Sequence, residues 1–177
     1  MSIRDLINGH LAGSAPELYV LRPVVPGDEI VRTMLISREI NSLLEGPWSD
    51  VALERRAGRL RADLEAFVKG EQIGICLTPY KARTAYMGLL DPATDGHFDI
   101  RSRDPRPGIR VFGGFSETDT FVALTWSFRK PLGPRGSREW RDEYGRVTAE
   151  WRRLFPVYRP KTGAAVEDFV SANAFLV

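Results

Sequence analysis

The segment HFDIRSRDPRPGIRVFGGFSETDTFVALTWSFRK, which runs from His97 to Lys130, decides the predicted fold. Alternating apolar residues form three short runs in it, and turn-forming residues separate these runs at 104–108 and 116–119. This pattern predicts an antiparallel β-meander. In its third strand, alternation groups four apolar residues on one face: Val122, Leu124, Trp126 and Phe128.

Several arginines are predicted to share one face of the meander. Alternation along the first strand groups four polar side chains: His97, Asp99, Arg101 and Arg103. The shortest loops place Arg103 opposite Arg110 and Arg110 opposite Thr125, with Arg101 diagonal to Arg110. Because like charges that face each other destabilise a sheet, this row predicts an anion-binding or nucleic-acid-binding site. The alternative is a solvated face on which Asp99 and Glu117 partly neutralise the arginines.

The charge of the chain is unevenly distributed. The net charge of all 177 residues is only +2, but the segment from Arg101 to Lys161 contains 14 basic and 7 acidic residues. A basic segment of this kind favours a polyanionic partner. A genome rich in G and C gives the same arginine bias without any function, and that reading stays open.

Composition also argues against several classes of protein. Cys76 is the single cysteine, and His10 and His97 lack metal-ligand spacing, so neither a disulfide framework nor a metal or other cofactor is predicted. No apolar run reaches the length of a membrane span, and no signal peptide is recognised. The expectation is a cytoplasmic protein with no membrane partner.

Apolar spacing predicts the elements around the meander. Helices are expected at 1–15, 28–45, 50–69, 137–155 and 166–175, a helical turn at 79–86, and extended segments at 17–25 and 72–78. Ser49 is the predicted cap of the helix that ends at Gly70, and this helix forms a hairpin with the helix before it. The helix after Ser137 carries an apolar stripe that predicts core packing or, alternatively, a protein-protein surface: Trp140, Tyr144, Val147, Trp151 and Leu154.

Three tripeptides link the meander to a known family. They are Asp99-Ile100-Arg101, Ile109-Arg110-Val111 and Phe128-Arg129-Lys130. They resemble, in order, the Glu-Leu-Arg, Tyr-Arg-Val and Phe-Lys-Lys of the RelE/ParE superfamily of bacterial toxins, particularly its HigB-like and phage-derived branches. The resemblance covers residues 17–130. It implies an α+β fold in which a helical hairpin packs on a curled antiparallel meander, with residues 131–177 as a C-terminal helical extension of one domain, 1–177.

The resemblance also implies a function. Members of the family bind mRNA on the ribosome and cleave it without a metal, by attack of a 2′-hydroxyl on the adjacent phosphate, and a protein antitoxin is their partner. Arg101 and Arg110 match positions that contact and stabilise the phosphate. Arg129 and Lys130 match positions that grip the RNA backbone. Arg103 and Lys81 are further candidates for RNA binding, and the base or acid is sought among His97, Tyr80, Lys81 and Asp119.

The chain also departs from the family. It is about twice the common length of these toxins, and the C-terminal position that stacks on or protonates the substrate has no counterpart. The additional helix can cover the sheet face, in which case the arginines pair with its acids: Glu139, Asp142, Glu143 or Glu150. Three functions remain open: a toxin that cleaves mRNA, a non-catalytic binding or phage-derived structural protein with the same fold, and an unrelated α+β domain.

Overall fold

An eight-stranded mixed β-sheet forms the framework of the computed structural model, which describes residues 1–81 and 84–177. The strands are β1 (Leu18–Val20), β2 (Thr33–Ser37), β3 (Ile73–Cys76), β4 (Met87–Leu89), β5 (His97–Ser102), β6 (Ile109–Glu117), β7 (Thr120–Phe128) and β8 (Ala174–Leu176). The helices are α1 (Ile3–Leu11), α2 (Arg38–Glu45), α3 (Val51–Val68) and α4 (Arg138–Leu154). The order across the sheet is β1-β2-β7-β6-β5-β4-β3-β8. The α+β class predicted from the sequence is confirmed.

The sheet separates two hydrophobic cores. Helices α2 and α3 pack on one face, where a cluster of phenylalanines includes Phe67, Phe98 and Phe115. Helices α1 and α4 pack on the other face, around Phe112 and Trp151. Because successive strand residues point to opposite faces, β5 and β6 contribute to both sides of the sheet.

The long helices follow the predicted apolar stripes. On α3 the buried residues include Ala57, Leu60, Leu64, Phe67 and Val68. Its cap is Asp50 and not the predicted Ser49, since the Asp50 carboxylate accepts a 2.8 Å hydrogen bond from the Leu53 N–H. On α4, Ser137 is the cap as predicted, and the stripe packs in the second core.

The first two strands of the meander have the predicted faces, but the register of the meander differs from the prediction. Arg101 lies directly opposite Arg110, and Arg110 lies opposite Ser127. The predicted partners, Arg103 and Thr125, are each displaced by two residues. Ser102 pairs with Ile109, so the whole segment 103–108 forms the loop. This segment contains two prolines, which cannot donate to a ladder and therefore end the pairing early.

A β-bulge divides the third strand of the meander. Phe112 pairs with Thr125 but Gly113 pairs with Ala123, which leaves Leu124 as an additional residue. Leu124 therefore lies in the α4-side core, while Trp126 and Phe128 pack on the other core, and the predicted single apolar face is wrong. The close approach requires a glycine, because a Cβ on Gly113 would lie 1.9 Å from the carbonyl oxygen of Val122.

Three predicted helices differ from the structure. Residues 33–37 form β2 instead of part of a helix, because β2 lies between β1 and β7 and buries consecutive apolar residues on both faces. The helical turn expected at 79–86 lies partly outside the described residues, and 79–81 and 84–86 form turns and bends. The helix expected at 166–175 is a short 3₁₀ turn followed by β8, so the C-terminal extension is not purely helical and completes the sheet.

A buried arginine links the C-terminal segment to the end of α3. Arg32 is 2% exposed, and its guanidinium group donates to four carbonyl oxygens, those of Phe67, Glu71, Ala172 and Asn173. These bonds connect the end of α3 with the segment that leads into β8. Arg32 therefore holds the segment before β8, in addition to the hydrogen bonds between β8 and β3.

Candidate functional site

A cavity of about 380 Å³ lies on the sheet face that α4 covers, and we call it the arginine cavity. Its floor is formed by side chains of β5 and β6, and its walls by the segment after β4, the segment after β7 and the start of α4. The residues that line it are Tyr80, Leu89, Leu90, Asp91, Pro92, Asp99, Arg101, Arg110, Phe112, Arg129, Arg135, Gly136, Trp140, Arg141 and Tyr144. Five of these are arginines and two are aspartates, so the lining is strongly basic.

One carboxylate on the floor is shared by two arginines. Asp99 Oδ2 lies 3.2 Å from Arg101 Nε and 3.3 Å from Arg110 Nε. Arg101 also donates from Nη2 to Asp99 Oδ1 at 3.2 Å. The side chains of Asp99, Arg101 and Arg110 are 3%, 9% and 13% exposed, respectively. The cluster therefore has a net positive charge in a largely buried environment.

A glycine on β4 makes room for this cluster. A Cβ on Gly88 would lie 2.5 Å from Arg101 Nη2 and 3.2 Å from Asp99 Oδ1. The guanidinium group thus lies over the β4 backbone, and a larger residue at position 88 would require the end of the Arg101 side chain to move. Sequence reasoning missed Gly88, although a glycine inside a short strand is a known signal of close approach.

The arginines of the cavity repel one another electrostatically. Burial lowers the pKa of the Arg110 guanidinium to about 10; Asp99 opposes this, and nearby Arg101, Arg103 and Arg129 reinforce it. Arg110 remains charged at neutral pH. A bound anion would relieve the repulsion and replace lost solvation, so the floor of the cavity is suited to bind an anionic group.

Aromatic rings and guanidinium planes form one wall. The Trp140 ring packs edge-on against Phe112, with 5.8 Å between ring centroids, and Arg129 Cζ lies 5.8 Å from the centre of the Trp140 ring. Arg129 Nη1 and Trp140 Nε1 both donate to the Gly133 carbonyl oxygen, at 2.8 and 3.3 Å. The wall is therefore held in place and presents flat surfaces beside the cationic floor.

A tyrosine–aspartate pair stands at another wall of the cavity. Tyr80 Oη donates to Asp91 Oδ2 at 3.2 Å, and Arg135 Cζ lies 5.5 Å from the centre of the Tyr80 ring. Burial, followed by the hydrogen bond to Asp91, raises the pKa of the Tyr80 hydroxyl, which is therefore protonated at neutral pH. The pair combines a proton donor with a carboxylate acceptor next to the arginines.

The structure brings together part of the predicted set. Arg101, Arg110 and Arg129 line the cavity. Arg103 donates from Nη2 to the Ala85 carbonyl oxygen at 2.7 Å and lines a neighbouring groove together with Lys130.

The remaining predicted residues lie elsewhere. Lys81 is exposed next to Tyr80 and is not part of the cavity lining. Asp119 lies in the β6–β7 turn, where its carboxylate accepts from Ser171 N–H at 2.9 Å.

His97 lies on the predicted sheet face but not at an exposed strand end. It is 2% exposed, and its ring packs edge-on against Tyr144 and Trp151 beneath α4, with centroid distances of 5.8 and 6.1 Å. Burial lowers the pKa of its imidazole. It does not line the arginine cavity, so its position gives a catalytic role no support.

Helix α4 covers the arginine face, as one alternative predicted, but its acids have other partners. Glu143 accepts from Thr125 Oγ1 at 2.7 Å and from Arg146 Nη1 at 2.8 Å. Glu150 pairs with Arg153 at 2.8 Å. The buried arginines of the floor use Asp99 of their own strand pair instead.

Within residues 1–81 and 84–177, no group of three or more His, Cys, Asp and Glu side chains is placed to hold a metal ion. No helix in these two ranges is long and apolar enough to cross a bilayer. Comparisons with protein-family models, with curated proteins and with solved structures find no match for this chain. The functional interpretation therefore rests on the chemistry of the arginine cavity.

Proposed function

We propose that this chain is an RNA-binding protein and that its arginine cavity receives a backbone phosphate of single-stranded RNA. The observation that carries the proposal is the sharing of one buried carboxylate by Arg101 and Arg110, with Arg129 beside them. Guanidinium groups bind phosphate through paired N–H donors, and burial strengthens these charge-assisted bonds.

The aromatic wall favours RNA over a small inorganic anion. Trp140, Tyr80 and the guanidinium group of Arg129 offer planes on which an unstacked base can lie. Recognition of single-stranded RNA commonly combines such stacking with phosphate contacts. The cavity provides both within one volume.

The resemblance to RelE/ParE toxins supports a finer proposal, metal-independent cleavage of mRNA. In this reaction the 2′-oxygen forms a bond to phosphorus and passes its proton to a base, and the 5′-oxygen leaves and takes up a proton. Arg101 and Arg110 would stabilise the additional negative charge on the phosphate. Tyr80 is the candidate donor to the leaving oxygen, and Asp91 the candidate base.

A second candidate is a non-catalytic RNA-binding protein. The burial of His97 away from the cavity favours it, because the described lining of the cavity then contains no histidine, the side chain that ordinarily titrates near neutral pH. Both candidates use the same arginines, so binding and cleavage have to be measured separately.

Binding is tested by fluorescence anisotropy with a labelled single-stranded RNA. Arg110→Ala removes one buried guanidinium and is expected to weaken binding about tenfold or more, as loss of a hydrogen bond to a charged group predicts. Arg55→Ala, an exposed arginine on α3, makes the same change in net charge and should leave affinity within about twofold. Equal losses in the two variants would mean that the cavity is not the RNA site.

Cleavage is tested with the same RNA in the presence of a metal chelator. The finer proposal predicts products that end in a 2′,3′-cyclic phosphate, slower cleavage by Tyr80→Phe, and growth arrest on induced expression that Arg110→Ala relieves. RNA that is bound tightly but remains intact would leave the non-catalytic protein as the function.

A further inference from the structure

A second basic cavity lies beside the arginine cavity, and we call it the loop groove. It is formed by the loop 103–108 with Arg110, Arg129 and Lys130, and its volume is about 560 Å³. All of the charged residues that line it are basic, whereas the arginine cavity also contains Asp91 and Asp99. Arg110 and Arg129 line both cavities and therefore lie between them.

The loop groove is held in place by bonds from outside it. Arg56 of α3 donates to the carbonyl oxygens of Arg106 and Pro107, at 2.7 and 3.2 Å. The Arg129 N–H donates to the Gly108 carbonyl oxygen at 2.7 Å. These contacts fix the loop backbone, so the groove is formed before any ligand arrives, which reduces the entropy lost on binding.

We propose that the loop groove is a second phosphate site, and that the ligand is single-stranded RNA with one nucleotide in the arginine cavity and the next phosphate in the groove. This inference rests on the proposed function and specifies its substrate. A guanidinium group has five N–H donors, so Arg110 and Arg129 can each contact phosphates on both sides. Arg106 and Lys130 add positive charge on the groove side alone.

The geometry argues against two simpler ligands. A mononucleotide would occupy the arginine cavity and would not reach Arg106 and Lys130 of the loop groove. A duplex presents its bases paired and stacked, whereas the arginine cavity lies between the sheet and α4 and exposes its aromatic wall inside. A single strand of at least two phosphates satisfies both cavities together.

Competition against labelled RNA tests this inference with defined probes: a nucleoside 5′-monophosphate, the corresponding 5′-phosphorylated dinucleotide, and a duplex of the same sequence. The dinucleotide is expected to bind on the order of tenfold more tightly than the monophosphate, since its second phosphate adds charge-assisted hydrogen bonds. Arg106→Ala and, separately, Lys130→Ala should remove most of that difference while affinity for the monophosphate stays unchanged. Each variant should also lower the dependence of log affinity on log salt by about 0.7.

The outcomes separate this inference from the function on which it rests. Equal affinity for monophosphate and dinucleotide, or a dinucleotide advantage that survives in both variants, would overturn the second phosphate site although RNA still binds. Duplex that competes as well as the dinucleotide would also overturn it. If neither the labelled RNA nor any probe binds, the proposed function itself fails.

Discussion

Asp99→Asn removes the shared counter-ion of the arginine cavity while it preserves the size of the side chain. The carboxylate that is lost accepts contacts from Arg101 and Arg110 at 3.2 and 3.3 Å, and all three side chains are largely buried. The variant therefore leaves two buried guanidinium groups facing each other across β5 and β6. We expect it to fold less stably, and to bind RNA at least as tightly once folded.

The size of the effect follows from the geometry. At an effective dielectric constant of about 20, each contact contributes roughly 5 kcal/mol of Coulomb attraction. The desolvation of the three groups offsets much of this, and removal of one partner from a buried ion pair costs about 3–5 kcal/mol. Because 1 kcal/mol shifts the midpoint of a chain of this size by about 2–4 °C, the expected decrease is about 6–20 °C.

Thermal unfolding followed by circular dichroism measures this decrease. Inorganic phosphate should raise the midpoint of Asp99→Asn more than that of the wild type, since an anion that binds the native state replaces the lost carboxylate. Asp142→Asn is the control: its carboxylate is 68% exposed and pairs with Arg138 on the surface of α4, so little change is expected. Equal midpoints for wild type and Asp99→Asn would refute the role of Asp99.

Three further predictions concern other residues. Gly88→Ala should displace the Arg101 guanidinium group and weaken RNA binding about tenfold, whereas Gly58→Ala meets open space and should leave anisotropy titrations unchanged. Because burial lowers the pKa of His97 below its ordinary value of 6.5, the stability it contributes is present above pH 6.5 and lost as pH falls through the folded-state pKa. Denaturant titrations across this range should show that loss, and a His97→Phe variant with the same pH dependence would contradict it. Arg32→Met removes the guanidinium donor of four carbonyl oxygens, of which those of Phe67 and Asn173 also accept backbone N–H groups at 3.1 Å. We expect it to cost about 2–6 kcal/mol and to speed amide exchange in β8; unchanged exchange there would argue against the link.

Periodicity predicted those parts of the fold in which one face decides the structure. The stripes on α3 and α4 follow from burial of one side only. In β5 apolar and polar residues alternate although both faces are buried, whereas in β2 apolar residues fill both faces and the alternation disappears. Residues 33–37 therefore read as part of a helix, although Met34, Leu35 and Ile36 lie in β2.

Long-range contacts explain most of the other differences. The register of β5 and β6 depends on where the proline-containing loop closes, and the bulge at Leu124 depends on a close approach to Gly113. Both are tertiary events that local spacing does not encode. The segment before β8 is bound by Arg32, more than a hundred residues earlier in the chain.

The charge of the candidate site was predictable from the sequence, whereas its enclosure was only one of the alternatives, in which the additional helix covers the sheet face. Strand parity alone placed Arg101 and Arg110 on one face, which the structure confirms. Parity could not predict that α4 would cover this face, bury His97 and contribute Trp140 to the wall. The same covering helix turned an expected open row of arginines into a cavity.

The alternation along β5 and β6 affects which sequence changes this protein can tolerate during evolution. Ile100 and Val111 hold the α2–α3 core, while their neighbours Arg101 and Arg110 line the cavity. Substitutions at the cavity positions can therefore alter ligand preference without any change of core volume. Insertion of a single residue in either strand would exchange the two sets, and would remove the core and the binding site in one step.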